Sequence, residues 1–125
     1  MSGSSEEHKL GTKLRDMLLG RRPDYSVGVL VYPGGEKYES LKESLEKETR
    51  NMLASGKSAQ EISDYRSRIV GEFMKPIAQL LERLGVSYTE FPLGGYIAVD
   101  RISRANIYDR LLPDPDIGRL EYRRT

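Results

Sequence analysis

Asp114 and Asp116 are the side chains whose type and spacing come closest to a metal-binding or acid–base site. They flank Pro115 in the stretch PDPDIGRLEY, which spans residues 113–122. Two carboxylates at this spacing can begin a calcium loop, but the glycine, the third acidic ligand and the terminal glutamate of such a loop are absent from their required positions. We therefore predict that the aspartates accept backbone hydrogen bonds in a turn, and that the stretch binds no metal.

Few other residues can support general acid–base or nucleophilic catalysis. The one histidine, His8, lies in a polar lead over residues 1–8 that we expect to be disordered, and the chain has no cysteine. A base in a disordered segment is not held at hydrogen-bond distance from a nucleophile. We therefore predict that the protein is not an enzyme and has no resident cofactor.

A glycine pair in the stretch YPGGEKYES, residues 32–40, follows a predicted strand and opens a predicted helix. Backbone amides in this context can cradle a phosphate. The spacing matches neither the P-loop nor the dinucleotide-binding fingerprint, so a strand-to-helix turn is the simpler interpretation. Because Lys37 lies beside the start of the helix, nucleotide or phosphate binding remains an alternative interpretation.

Length and charge are those of a small single-domain protein. The chain has 125 residues, a 38% hydrophobic composition and 20 basic against 19 acidic side chains, for a net charge of +1. This balance gives no reason to expect a polyanion as an obligatory partner. The sequence has neither the apolar core of a signal peptide nor the run of about 18 apolar residues that a membrane helix needs. We expect a soluble, cytoplasmic protein that does not enter a membrane.

Residues 1–22 are predicted to form a flexible N-terminal segment with a short amphipathic helix over residues 9–19. That helix either docks on the protein's own surface or binds a partner or a membrane surface. Residues 23–125 are predicted to form a single domain. The apolar residues at helical spacing in the N-terminal segment are Leu10, Leu14, Met17 and Leu18.

The remaining chain alternates strand and helix patterns. Ser58 and Glu61 form a capping box that opens the second long helix. Pro76 lies inside that helix and predicts a kink or a break near Lys75. In chain order the predicted elements are a central strand over 25–32, helices over 37–55 and 58–84, strands over 86–91 and 96–100, a short helix capped by Ser103, and a closing strand over 117–123.

The closing strand is predicted to lie at an edge of the sheet. Its alternation places Gly118, Leu120 and Tyr122 on one face. The opposite, more charged face is predicted to carry Ile117, Arg119, Glu121 and Arg123.

This order of elements predicts an α+β protein. The most economical arrangement is a ferredoxin-like βαββαβ sandwich, in which a four-stranded antiparallel sheet carries its helices on one face. The first crossover is long, because it contains two helices, and the N-terminal helix is an addition. The apolar stripes of helices 37–84 exceed what one sheet face can cover, which predicts self-association as a homodimer.

We predict that the protein is a non-enzymatic protein-interaction module, and the alternative is a nucleic-acid- or nucleotide-binding protein. Tyr32 and Tyr96 lie near the two central strands, where exposed aromatic side chains bind single-stranded RNA in such sheets. The run of alternating basic and aromatic residues typical of that function is missing. The basic residues that would serve it are Arg21, Arg22, Lys37, Arg101, Arg104, Arg123 and Arg124.

Residues 25–33 and 86–124 resemble the subtilisin propeptide and protease-inhibitor family. The resemblance consists of a first strand, a glycine–aromatic turn, a strand of small and apolar residues, a short helix, an Asp-Pro-Asp turn and a closing strand. The helical region over 36–84 is longer than the single helix of that family. The matching residues are Tyr25, Gly95, Tyr96, Ala98, Val99, Ile107, Leu111, Asp114, Pro115, Asp116, Ile117, Leu120 and Glu121.

The resemblance implies a protein partner. A member of this family is expected to act as an inhibitor or folding chaperone of a subtilisin-like protease, with its sheet packed on the enzyme and its C-terminal tail entering the cleft as an extended strand. The residues in the position of that tail are Glu121, Tyr122, Arg123, Arg124 and Thr125.

Overall fold

A computed structural model describes residues 6–124. The strands are β1 (Ser26–Pro33), β2 (Tyr88–Phe91), β3 (Tyr96–Ser103) and β4 (Ile117–Tyr122). A 3₁₀ turn (Glu7–Lys9) precedes the helices α1 (Thr12–Leu18), α2 (Glu36–Ala54), α3 (Ala59–Arg83) and α4 (Arg104–Asn106), and α4 continues as a π-helical turn (Ile107–Leu111).

The sheet is antiparallel and has the order β2-β3-β1-β4. The predicted α+β class and the four-stranded antiparallel sheet are therefore confirmed. Because β1 and β3 have a neighbour on each side, the central position predicted for the first strand is confirmed as well.

The caps of the helices follow the sequence signals. The Ser58 hydroxyl accepts from the Glu61 amide, and the Glu61 carboxylate accepts from the Ser58 amide, each at 3.1 Å. Of the kink or break predicted near Lys75, the break is wrong, since α3 continues through Pro76. The proline is on the exposed side of the helix while Met74 and Ile77 are buried, so packing holds both halves of α3 against the core.

The two faces of the sheet differ. Val29 and Val31 are fully buried, and their cross-strand partners Val99 and Ile97 lie in the same hydrophobic core. Leu30, between the two valines, points to the opposite face and is not part of that core. The helices therefore cover one face of the sheet, which we call the core face, and leave the other, which we call the uncovered face.

A β-bulge at Gly118 changes the faces of β4. Tyr32 is opposite Arg119, but Pro33 is opposite Ile117, so Gly118 is an extra residue on β4. Ile117 and Leu120 are consequently both buried in the core. The prediction that Ile117 and Arg119 share a face is wrong, because strict alternation does not continue through a bulge.

A second bulge lies in β3. Val27 is opposite Ile102 and Val29 is opposite Val99, which leaves two residues of β3 across from Gly28. Those residues, Asp100 and Arg101, are both exposed although their neighbours on each side are buried. The bulge therefore places two consecutive side chains away from the core face.

The N-terminal helix packs on the edge of the sheet that β4 forms. Leu10 forms a parallel bridge to Leu120, and the Gly11 amide donates to the Leu120 carbonyl at 2.8 Å. Leu14 and Leu18 are fully buried in the core. Of the residues predicted to be a disordered lead, 1–5 lie outside the described residues.

The turn before β4 is held by an aspartate, as the sequence predicts. The Asp114 carboxylate accepts from the Asp116 amide at 2.8 Å. The Gly34 amide donates to the Asp116 carbonyl at 2.9 Å, which joins this turn to the end of β1. The Lys9 ammonium donates to the Asp114 carbonyl from the N-terminal side.

Gly118→Ala should destabilise the fold. A Cβ on Gly118 would lie 2.7 Å from the Gly34 Cα, and Gly34 is held in place by the hydrogen bond from its amide to the Asp116 carbonyl. We expect a loss of about 1–3 kcal/mol in the free energy of unfolding, measured by urea denaturation. Gly71→Ala is the control, because Gly71 lies inside α3 and a Cβ there would meet the Pro92 ring at an ordinary contact distance of 3.8 Å; it should gain up to about 1 kcal/mol. Equal effects of the two substitutions would contradict the close contact.

Leu18→Ala should show that α1 is part of the folded unit. Leu18 is fully buried, so truncation should cost about 2–5 kcal/mol in the same denaturation measurement. The neighbouring Leu19 is 75% exposed, and Leu19→Ala should cost less than about 0.5 kcal/mol. A small effect of Leu18→Ala would mean that α1 leaves the sheet in solution.

Candidate functional site

Four large side chains lie in line across the uncovered face, one from each strand. Residues directly opposite each other in an antiparallel pair point to the same face. Phe91 on β2 is opposite Tyr96 on β3, and Tyr32 on β1 is opposite Arg119 on β4. We call these four residues the aromatic row.

Each member of the aromatic row contacts the next. The rings of Phe91 and Tyr96 are stacked, with centroids 5.1 Å apart and an interplanar angle of 26°. The rings of Tyr96 and Tyr32 are 5.6 Å apart and tilted by 42°. The Arg119 guanidinium carbon lies 4.2 Å from the centre of the Tyr32 ring, in cation–π contact.

The aromatic row remains accessible to a ligand. Phe91 is 42% exposed, the two tyrosines are half-buried, and Arg119 is exposed. Next to the row, Leu30 and Ala98 are paired on the same face, and Ala98 is too small to project above it. The result is a partly exposed aromatic surface on the uncovered face, available to planar groups at its open edges.

A glycine-lined cleft adjoins the aromatic row at Tyr32 and Arg119. It has a volume of about 560 Å³ and lies between the end of β1, the β2–β3 turn and the start of α2. Tyr38 and Lys42 of α2 supply its largest side chains besides those of the row. The glycines that line it are Gly34, Gly35, Gly94, Gly95 and Gly118.

Lys37, the candidate phosphate ligand, lies exposed in the first turn of α2. Glu36 and Glu39 share this turn, so carboxylates surround the free amides of the helix start. Negative charge there disfavours a phosphate. Lys37 also lies at the opposite end of β1 from the predicted arginines, and the fold does not bring it to them.

Most of the predicted arginines meet where β1 begins. The Arg21 guanidinium lies 4.7 Å from the Tyr25 ring centre, and Arg101 donates to the Ser26 carbonyl at 3.5 Å. Arg22 pairs with Asp24 at 3.7 Å. We give the name arginine end to Arg21, Arg22, Arg101, Arg123 and Arg124.

Arg104 has a structural role. Its Nε donates to the Leu18 carbonyl at 2.9 Å, and its guanidinium lies 4.6 Å from the centre of the Tyr108 ring. It therefore ties the C-terminal end of α1 to α4. Sequence spacing gave no indication of this contact, since Leu18 and Arg104 are far apart in the chain.

The predicted C-terminal tail is largely part of the sheet. Glu121 and Tyr122 belong to β4 and are opposite Leu30 and Val29. The Arg123 amide donates to the Gly28 carbonyl at 3.0 Å, and its side chain pairs with Asp100. Arg124 is exposed, and Thr125 lies outside the described residues.

Two side chains with shifted pKa values, Glu61 and Tyr88, lie outside the aromatic row. Hydrogen bonds from the Ser58 backbone and side chain lower the pKa of Glu61. A hydrogen bond to the Glu82 carboxylate, at 2.8 Å, raises the pKa of Tyr88. Over residues 6–124, no three acidic, histidine or cysteine side chains cluster in a way that could hold a metal.

The helical hairpin has an apolar surface of its own. Leu53 of α2 and Leu93 of the β2–β3 turn are 61% and 66% exposed and line one groove together with Ile62 of α3. The predicted self-association through helices 37–84 would use this surface and stays a prediction.

No helix within the described part of the chain is long and apolar enough to span a membrane.

Sequence reasoning found two members of the aromatic row and missed two. Tyr32 and Tyr96 were predicted near the central strands, and both are there. Phe91 could have been found from the hairpin, because the last residue of β2 is opposite the first residue of β3. Arg119 could not, since its side depends on the bulge at Gly118.

Comparisons with protein-family models, curated proteins and solved structures return no match for this chain. The resemblance to subtilisin propeptides stays a prediction. The function must therefore be argued from the uncovered face and its surroundings.

Proposed function

We propose that this protein is a non-enzymatic ferredoxin-like module that binds single-stranded nucleic acid on the uncovered face of its sheet. The strand order supports this fold. Each helical connection skips one strand: β3 separates β1 from β2, and β1 separates β3 from β4. A split βαβ unit skips one strand in the same way, which supports the proposed fold.

The aromatic row is the observation that carries the function. Tyr32 and Tyr96 lie side by side on the two central strands, and Phe91 extends the row to the edge. Sheets of this kind bind unpaired bases by stacking them on such rings. Because every base has a flat π-face, stacking tolerates any sequence and contributes about 1–3 kcal/mol per base.

A purely structural role for the aromatic row accounts for less of what is observed. Cross-strand aromatic pairs stabilise a sheet by about 0.2–1 kcal/mol, and the contacts within the row supply that. They do not require three aromatic rings on the face that the helices leave uncovered, where Phe91 stays 42% exposed. Exposed aromatic surface of this kind is typical of binding sites.

Replacing single rings tests the proposal. Labelled RNA and DNA homopolymers should bind at low salt, as measured by fluorescence anisotropy. Tyr32→Leu and Tyr96→Leu keep apolar bulk but remove the π-face, and each should weaken binding about 5- to 150-fold. Tyr65→Leu, in the helical layer, is the control and should bind as the parent does.

Two outcomes of this experiment would refute nucleic-acid binding on the uncovered face. One is the absence of binding to every homopolymer at low salt. The other is unchanged affinity in both the Tyr32→Leu and Tyr96→Leu proteins, with folding verified by circular dichroism.

A second candidate function follows from the resemblance to subtilisin propeptides. The chain leaves the sheet after Arg123, and Arg124 is exposed, so Arg124 is the described part of the predicted tail that is available to a protease cleft. In this form the protein is an interaction module that inhibits, or assists the folding of, a subtilisin-like protease.

Truncation separates this candidate from the first. Removing Arg124 and Thr125 should abolish inhibition of a subtilisin-like protease, whereas oligonucleotide binding should persist because the aromatic row is intact. The urea midpoint should stay nearly unchanged, because β4 ends at Tyr122. Arg68→Gln, on α3, is a control for the loss of one positive charge. Failure of the full chain to slow hydrolysis of a peptide substrate would remove the inhibitor candidate.

A further inference from the structure

Two arginines reach the uncovered face because of the two bulges. The bulge at Gly118 places Arg119 beside Tyr32. The bulge opposite Gly28 leaves Arg101 exposed between the core residues Val99 and Ile102. Bulges often redirect a side chain at a functional site.

The two arginines differ in their surroundings. Arg119 is stacked on Tyr32 and also pairs with Glu121 at 3.1 Å, so its charge is partly neutralised and its flat face extends the aromatic row. The described contacts of Arg101 include the Ser26 carbonyl and no carboxylate. Arg101 therefore offers its charge to a ligand, whereas Arg119 offers mainly a stacking surface.

The arginine end has a net positive charge. Its five guanidinium groups outnumber the two carboxylates paired with them, since Asp24 pairs with Arg22 and Asp100 pairs with Arg123. Arg21 contacts the Met17 carbonyl and the Tyr25 ring and, like Arg101, has no carboxylate partner among its described contacts. Such a cluster is complementary to the phosphates of a nucleic acid.

The arginine end and the aromatic row lie on one path. Along β1, the row crosses at Tyr32 and the arginine end at Gly28, four residues apart and so separated by about 13 Å. Leu30 and Ala98, which are paired between them, form a low apolar floor without a charged group on β1 or β3. A single strand can therefore follow β1 from one feature to the other.

We infer that a bound single strand runs along β1, with its bases stacked on the aromatic row and its continuing sugar–phosphate backbone held by Arg101 and Arg21 at the arginine end. The inference rests on the proposed function and adds to it separate binding positions for bases and for phosphates. Bases are bound at one end of the face and phosphates at the other, over about four nucleotides.

Salt dependence distinguishes the two parts of the site. Each phosphate contact releases counterions, so Arg101→Gln and Arg21→Gln should each lower the slope of log affinity against log salt by about one and weaken all sequences alike. Tyr32→Leu should weaken binding without changing that slope. Arg68→Gln, an exposed arginine in the helical layer, is the matched control and should change neither.

Oligonucleotide length and a base-free polyanion complete the test. Affinity for RNA and DNA homopolymers should rise up to about four nucleotides and then level off; a difference between the two series would show which sugar the face accepts. Dextran sulfate should bind weakly, and its binding should respond to Arg101→Gln but not to Tyr32→Leu.

The possible failures are distinguishable. If oligonucleotides bind and the tyrosine variants weaken them, but Arg101→Gln and Arg21→Gln leave the salt slope unchanged, the inferred path is wrong and the proposed function survives. If no oligonucleotide binds, or dextran sulfate binds as tightly as RNA and DNA, the proposed function fails and the path fails with it.

Discussion

The contact between the backbones of Gly34 and Gly118 is the constraint on which the uncovered face depends. The two residues pass so closely that a Cβ on Gly118 would lie 2.7 Å from the Gly34 Cα. Gly118 is also the extra residue of the β4 bulge. Because of that bulge, Ile117 turns into the core and Arg119 turns out beside Tyr32. A larger residue at either glycine would separate β1 from β4 where core and aromatic row meet.

A one-sided core explains why a binding surface is left. Right-handed crossovers place the connecting helices on the same side of the sheet, and α1 joins them there through Leu14 and Leu18. Leu30, Tyr32 and Tyr96 are then left partly exposed on the opposite side of the sheet. The same arrangement closes the edge at β4, where the Leu10–Gly11 segment pairs with Leu120. The uncovered face, rather than this edge, is where a partner finds accessible aromatic surface.

Local sequence patterns predicted the helices and strands, whereas the pairing between strands determined which side chains form the candidate site. Three predicted features each depend on only a few neighbouring residues. They are the capping box at Ser58, the helix start at Ser103 and the apolar alternation of β1. A bulge depends on how two strands pair, so a periodic reading of residues 117–123 placed Ile117 on the wrong face. The contact of Arg104 with α1 was missed for a similar reason, because its partner, the Leu18 carbonyl, is remote in sequence. Packing likewise carried α3 through Pro76, against its propensity to break a helix.

The net charge of +1 does not argue against a phosphate-bearing ligand, because charge acts locally. At physiological ionic strength, exposed charges are screened beyond about 8 Å, which is shorter than the path of about 13 Å along the uncovered face. A ligand at the arginine end is therefore affected by Arg21, Arg101 and their neighbours far more than by the carboxylates of α2, which lie in the helical layer. Acidic residues in the rest of the chain bring the net charge to +1 without neutralising the arginine end. A chain of balanced composition can thus present one face to bases and phosphates, and composition alone could not have revealed it.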